Sequence, residues 1–367
     1  RAEPADPFVL STLADLYVLQ GELQRAIALY ERLIREFGPS SQLHFNLGVL
    51  YGRMNRFEDA LQELSRALEL SPEAVEIRLA LGITYEMTGR AQTAAAHYEE
   101  AIHLAPFNPQ LYYHAARAWL SAKQFAKAEA NYQAALDLSP RDLEAILGLV
   151  RTWLVQRKFE EAQRFLGEKL EELGYPPELY VALGIVYREA KQDLEAMRAF
   201  ERAVSLKENY TQAHFYLAAQ LDQLDRKADA RVSLQRTLEL EPGYPDALNY
   251  LGYLDAEAGV NLAEAKALIE QALAQDPANG AYIDSLGWVY YQIGDLDEAI
   301  AHLERAAQLI DTDPVIFDHL GDAYFKRNDL ERARRNWERA LELEADQPDI
   351  QEKLNRLLEP QVTVSQP

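Results

Sequence analysis

An all-α fold, a solenoid of about ten helix–turn–helix units closed by a solvating C-terminal helix, is what this sequence predicts. Three observations predict it. The residues Ala14, Gly48, Gly82, Ala116, Val150, Gly184, Ala218, Gly252, Gly287 and Gly321 mark a ruler with intervals of 34 residues, or 35 between Gly252 and Gly287. Twelve residues beyond each mark, thirteen in the one longer unit, stands an alanine: Ala26, Ala60, Ala94, Ala128, Ala162, Ala196, Ala230, Ala265, Ala299 and Ala333. Turn and stop residues keep the same period. Units that pack only on their neighbours replace the two or three globular domains that 367 residues would otherwise suggest.

Each element of a unit has a physical reason. In Ile283–Glu304, the residues Ile283, Leu286, Gly287 and Tyr290 share one helical face, and Ala299 with Leu303 form the facing one. Small residues on both helices permit close approach, and bulky positions fill the remaining space as ridges in grooves. Tyr17, Tyr51, Tyr85, Trp119, Trp153, Tyr187, Tyr290 and Tyr324 take one bulky place; Tyr30, Tyr98, Tyr132, Phe200 and Trp337 take another. Both sets are expected in the core. Gly21, Gly89, Gly259 and Gly294, with Asn55, Asp225 and Asn328, fall between helices where left-handed backbone is wanted, and Lys123, Arg157 and Lys191 replace them in three middle units. Pro72, Pro106, Pro140, Pro242 and Pro277 stop the second helix.

The pattern divides the chain into an N-terminal extension (1–6), the array (7–346), a capping helix (347–359) and a disordered tail (360–367). In the capping helix Ile350, Leu354, Leu357 and Leu358 share an apolar face, with Glu352, Lys353, Asn355 and Arg356 opposite. Unit five departs from the pattern through Val150 at its mark, Lys169 where Ala is usual, and the ending Gly174-Tyr175-Pro176-Pro177. Looser packing or a sharper turn is expected there. Unit eight carries Asp255 where Tyr is usual and one extra residue in Gly259-Val260-Asn261-Leu262, a second candidate bend. The chain begins at Arg1 and not at Met, so a processed or trimmed chain is expected, whose missing leader is a candidate for carrying a signal peptide or lipid anchor.

Composition excludes several functions. The formal net charge of −22 disfavours nucleic acid and anionic membrane surfaces as partners, because both need a basic face. The absence of cysteine removes disulfides, thiolate metal sites and Cys nucleophiles. No apolar run reaches the length of a membrane span, so direct membrane insertion by this chain is not expected. The seven histidines show no ligand spacing, and no GxSxG, Walker-type or GxGxxG motif is present, so neither a metal nor a cofactor nor an enzymatic activity is expected.

Period, small positions and prolines together resemble the tetratricopeptide repeat (TPR) superfamily from Pro7 to Leu343. That resemblance implies a right-handed superhelix of antiparallel helix pairs that binds proteins or peptides. The two-carboxylate clamp of some TPR domains needs Lys and Asn where this chain has Phe45 with Val49, or Leu79 with Ile83, so that subtype is not expected. A narrower resemblance covers about 246–343, through Leu248-Asn249-Tyr250-Leu251-Gly252-Tyr253, the Gly259–Leu262 insertion and the run Asn279–Tyr291. This block is similar to the C-terminal part of Gram-negative outer-membrane TPR lipoproteins, a group that includes an adaptor for a periplasmic carboxyl-terminal processing protease. It implies a periplasmic, outer-membrane-associated adaptor, although the lipobox cysteine is absent from this chain. The alternatives are a cytoplasmic TPR assembly or regulatory protein, and the TPR portion of a larger enzyme such as a glycosyltransferase.

In a stacked TPR array the first helix of each unit lines the concave wall, so the residues just after each mark, and three further on, choose the partner. Two groups stand out at or beside those places. Arg117, Arg151 and Arg188 form a basic stripe suited to a partner's carboxylates, or else pair internally with Glu144, Glu178 and Asp222. Tyr250, Tyr253, Trp288, Tyr291 and Phe325 gather aromatic surface of the kind that anchors interfaces. Only unit nine puts two large aromatics, Trp288 and Tyr291, at both wall positions together.

Overall fold

The computed structural model describes residues 6–358, and among them every regular element is an α-helix. The expected extension, apart from Asp6, and the expected tail lie outside the described residues. The chain divides after Tyr175 into two compact bodies.

The first body contains five helix pairs: α1 (Pro7–Leu19) with α2 (Leu23–Phe37), α3 (Ser41–Arg53) with α4 (Phe57–Leu70), α5 (Val75–Met87) with α6 (Ala91–Leu104), α7 (Pro109–Ser121) with α8 (Phe125–Leu138), and α9 (Leu143–Val155) with α10 (Phe159–Leu173). The second contains α11 (Pro177–Glu189) with α12 (Asp193–Leu206), α13 (Thr211–Gln223) with α14 (Lys227–Leu240), α15 (Pro245–Glu257) with α16 (Leu262–Gln275), α17 (Gly280–Ile293) with α18 (Leu296–Leu309), α19 (Pro314–Lys326) with α20 (Leu330–Leu343), and the terminal α21 (Pro348–Leu358).

The turn inside every pair uses a left-handed residue at the predicted place, from Gly21 at φ 78° to Asn328 at φ 67°. Lys123, Arg157 and Lys191 adopt it too, at φ 57–61°, which costs each about 1–2 kcal/mol because their Cβ crowds the following carbonyl. In unit eight the extra residue is absorbed by a second left-handed residue, Asn261 at φ 50°, directly before α16. Asp6, Ser40, Asn108, Asp142, Asn279 and Asp313 start their helices by accepting hydrogen bonds from free backbone N–H groups.

Packing explains the ruler. A Cβ added to Gly82 would stand 2.3 Å from the Tyr98 ring, and one added to Gly321 would stand 2.3 Å from Trp337. The mark is small because the bulky residue sixteen positions later presses on it. Unit four distributes the space differently: Ala116 keeps its methyl, and the Tyr132 ring lies on Gly148 of α9, 2.4 Å from where a Cβ would be. With Val150 at its mark, α9 packs on α10 less closely than any other pair packs.

Two core expectations need correction. Tyr30, Tyr98, Tyr132, Phe200 and Trp337 are buried, but of the other aromatic set only Tyr51, Trp119 and Tyr324 are fully so; Tyr17, Tyr85, Trp153, Tyr187 and Tyr290 are half-buried, with Tyr17, Tyr85, Tyr187 and Tyr290 packed against the core from its edge. In α21 Ile350 and Leu354 join the core beside Leu357, whereas Lys353 does not face solvent with Glu352 and Arg356. Its Nζ reaches Asp318 at 2.7 Å and Asp322 at 2.8 Å, which binds the cap to α19. The Leu358 side chain lies outside the described residues.

Candidate partner-binding surfaces

In the first body, α7 and α9 carry Arg117 and Arg151 on the walls of one groove of about 700 Å³, which is also lined by Tyr113, Leu120, Lys123, Phe125, Tyr132, Glu144 and Leu147. The two arginines differ in state. Arg117 is held by Glu86 of α5, with Nε donating at 3.1 Å to Oε1 and Nη2 at 2.9 Å to Oε2. Glu86 also accepts the Tyr98 hydroxyl at 2.6 Å. The Glu86 hydrogen bond raises the Arg117 pKa, and burial followed by the Glu86 bond raises that of Tyr98. Arg151 is exposed and has neither ion pair nor hydrogen bond among the described residues.

The internal partners named from sequence are therefore corrected. Arg117 pairs with Glu86, from the preceding unit, and not with Glu144. Glu178 takes Lys207 at 3.4 Å, and Asp222 accepts the Tyr250 hydroxyl at 2.6 Å. Arg188, in the second body, lies 3.8 Å from its neighbour Glu189 and 5.5 Å from the centre of the Tyr216 ring. Arg117 with Glu86 and Tyr250 with Asp222 join neighbouring units, so those choices follow the offset between units, which within-unit marks do not specify.

In the second body, Tyr253 (α15), Trp288 and Tyr291 (α17) come together around His319 (α19). Trp288 stacks on His319 with centroids 4.2 Å apart and on Tyr291 at 4.6 Å; Tyr253 lies 6.2 Å from His319. All three aromatics are half-buried, Trp288 and Tyr291 packing in part against the core, while Phe325 on α19 is 49 % exposed with its ring 5.5 Å from that of Trp337. Lys326 lies 4.2 Å from the centre of the Tyr291 ring, a cation–π contact at the rim. Tyr250 is turned aside: its hydroxyl is tied to Asp222 and its ring packs on the core beneath.

The support of this shelf was missed at the sequence level. His319 and Asp284 are 5 % and 6 % exposed, with the His319 Nδ1 at 3.0 and 3.1 Å from the two Asp284 oxygens. Burial lowers the His319 pKa, but the charge and hydrogen bond of Asp284, with Asp318 and Asp322, outweigh it and the net shift is upward. A signal existed. Three positions before the mark, Phe45, Leu79, Leu147 and Phe215 are apolar in other units, whereas units eight to ten have Asn249, Asp284 and Asp318. A carboxylate on a core-facing row calls for a cation opposite.

Among the described residues no group of His, Asp and Glu is arranged to hold a metal, and no helix is long and apolar enough to cross a membrane. Tandem helix pairs whose first helices present charged and aromatic side chains define a helical-repeat interaction solenoid. The tetratricopeptide repeat profile matches residues 11–51, 45–109, 79–142 and 254–314, related profiles match 120–172 and 177–210, and a TPR repeat profile matches 321–354. The chain belongs to the tetratricopeptide repeat family.

Over 142 residues it is 26 % identical to the TPR repeat-containing protein PA4667 of Pseudomonas aeruginosa; the match takes in 39 % of this chain and 24 % of that protein, about a quarter of the relative's length. Two solved structures share the fold. The APC/C hetero-tetramer Cut9–Hcn1 has a TM-score of 0.53 at 14 % identity, covering 96 % of this chain and 90 % of that one. A tetratricopeptide repeat protein from Parabacteroides merdae has a TM-score of 0.52 at 16 % identity, covering 73 % and 98 %.

Proposed function

We propose that this chain is a non-enzymatic scaffold that docks a partner protein or peptide on the first-helix wall of its second body. The observation that carries the proposal is the Trp288–Tyr291 stack, half-buried and seated on the buried His319–Asp284 pair, with the Tyr253 ring 6.2 Å from the same His319. Rigid aromatics on a fixed base lose little conformational entropy on binding, which is why such groups dominate interface energetics. The family supports a protein partner in general, and the Cut9–Hcn1 assembly is an example of a TPR-type chain in a protein complex.

The proposal extends to an envelope adaptor, outer-membrane-associated and serving a periplasmic protease or envelope assembly. The likeness of residues 246–343 to outer-membrane TPR lipoproteins supports that part. Cross-linking followed by mass spectrometry, on wild type and on Trp288→Ala with Tyr291→Ala, tests the site: partners specific to the wild type are expected to vanish from the variant. Undiminished capture of all partners overturns it. Fractionation of the natural full-length protein tests the compartment, since recovery in the cytosol favours the cytoplasmic assembly role.

A further inference from the structure

Tyr98, Glu86 and Arg117 form a closed triad in which one carboxylate accepts from a phenol at 2.6 Å and from a guanidinium at 2.9 and 3.1 Å. One repeat further on, 34 residues along, Tyr98 becomes Tyr132 and Arg117 becomes Arg151, but Glu86 becomes Leu120. Both donors survive while the acceptor is gone. The Tyr132 side chain is 2 % exposed, and its hydroxyl, like the Arg151 guanidinium, has no hydrogen-bond partner among the described residues. Tyr132, Leu120 and Arg151 all line the groove of about 700 Å³. Where the same tyrosine occurs in unit one, a carboxylate of its own chain is again the acceptor: Tyr30 donates to Asp15.

We propose that this groove receives a glutamate side chain from a partner protein, which completes with Tyr132 and Arg151 the triad that Glu86 completes one repeat earlier. Charge favours that occupant. In a chain of net charge −22, the cations Arg117, Lys123 and Arg151 converge here against Glu144 and the already engaged Glu86. Burial pushes the Tyr132 pKa up to about 12, so the phenol is a donor at neutral pH. Phe125 and Leu147 supply apolar surface for residues flanking the glutamate. The resident template is itself a glutamate side chain projecting from continuous backbone, and this favours a passing segment over a chain terminus. The site lies in the first body, so its failure would leave the shelf of the second body untouched.

The test is an NMR titration of the whole chain with three probes: N-acetyl-leucyl-glutamyl-leucinamide, its glutaminyl isostere, and N-acetyl-leucyl-leucine with a free α-carboxylate. The glutamyl probe is expected to shift resonances between residues 113 and 155 and to bind at least about tenfold more tightly than the glutaminyl one, the scale of one charge-assisted contact. Arg151→Gln should abolish that preference, and Tyr132→Phe should reduce it a few-fold. Leu120→Glu should eliminate binding by supplying the carboxylate from within. Circular dichroism checks folding, and the exposed Arg151→Gln keeps the test open if Leu120→Glu fails to fold. Equal binding of the glutamyl and glutaminyl probes, no binding, or undiminished binding to a folded Leu120→Glu variant overturns the proposal. Tighter binding of the α-carboxylate probe overturns the side-chain assignment in favour of a C-terminus.

Discussion

Replacing His319 with phenylalanine is expected to undermine the aromatic shelf from below while preserving much of its shape. The ring remains available to stack on Trp288, but Asp284, 6 % exposed and held through the His319 Nδ1, loses its hydrogen-bond donor and, below the raised His319 pKa, its cation. Removing one partner of a buried ion pair typically costs about 3–5 kcal/mol, because the remaining charge stays desolvated and uncompensated. Adding Asp284→Leu should recover most of that loss, since an apolar pair of similar volume carries no desolvation cost. Urea unfolding followed by circular dichroism gives the magnitude. Hydrogen exchange resolved on α17 and α19 gives the location, which matters because an array of repeats opens locally. A loss below about 1 kcal/mol with unchanged exchange, or a double variant no better than the single one, would refute the reasoning.

Two further predictions follow from the same packing. The His319 pKa is raised on folding from its ordinary value of 6.5, so the pair's contribution is complete below that value and is lost as pH rises through the higher folded value. Wild-type stability, measured against the His319→Phe, Asp284→Leu variant, should therefore decline across that alkaline side; a gap that widens there would contradict the assignment. For the ruler, Gly82→Ala drives a methyl to 2.3 Å from Tyr98 and should cost about 1–3 kcal/mol. Gly52→Ala meets nothing within 4 Å and should leave stability unchanged or raise it by up to about 1 kcal/mol, both read from thermal melts.

The period, the turns and the helix stops were legible in the sequence because each is a local steric demand repeated at a fixed spacing. Gly82 must admit Tyr98, and a left-handed turn must follow α5 at Gly89. The partners of charged side chains were not legible by the same route. Arg117 reaches Glu86, 31 residues earlier, His319 reaches Asp284, 35 earlier, and Lys353 reaches Asp318, 35 earlier. These separations lie near one repeat length, so the pairs join neighbouring units, and comparison of positions within a single unit does not bring them together. The aromatic group was half legible: Trp288 and Tyr291 meet as their spacing on α17 requires, whereas Tyr250 turns to Asp222, a choice fixed by α13. Once Tyr98–Glu86–Arg117 is known to be a bonded set, sequence becomes informative again. Each repeat can be asked which member it has replaced, and the substitution of Glu86 by Leu120 changes from an unremarked apolar residue into the absent acceptor for Tyr132 and Arg151. A repeat protein shows candidate binding positions where neighbouring copies keep the donors of an internal bond and drop its acceptor, because a visiting carboxylate there meets donors already placed to receive it.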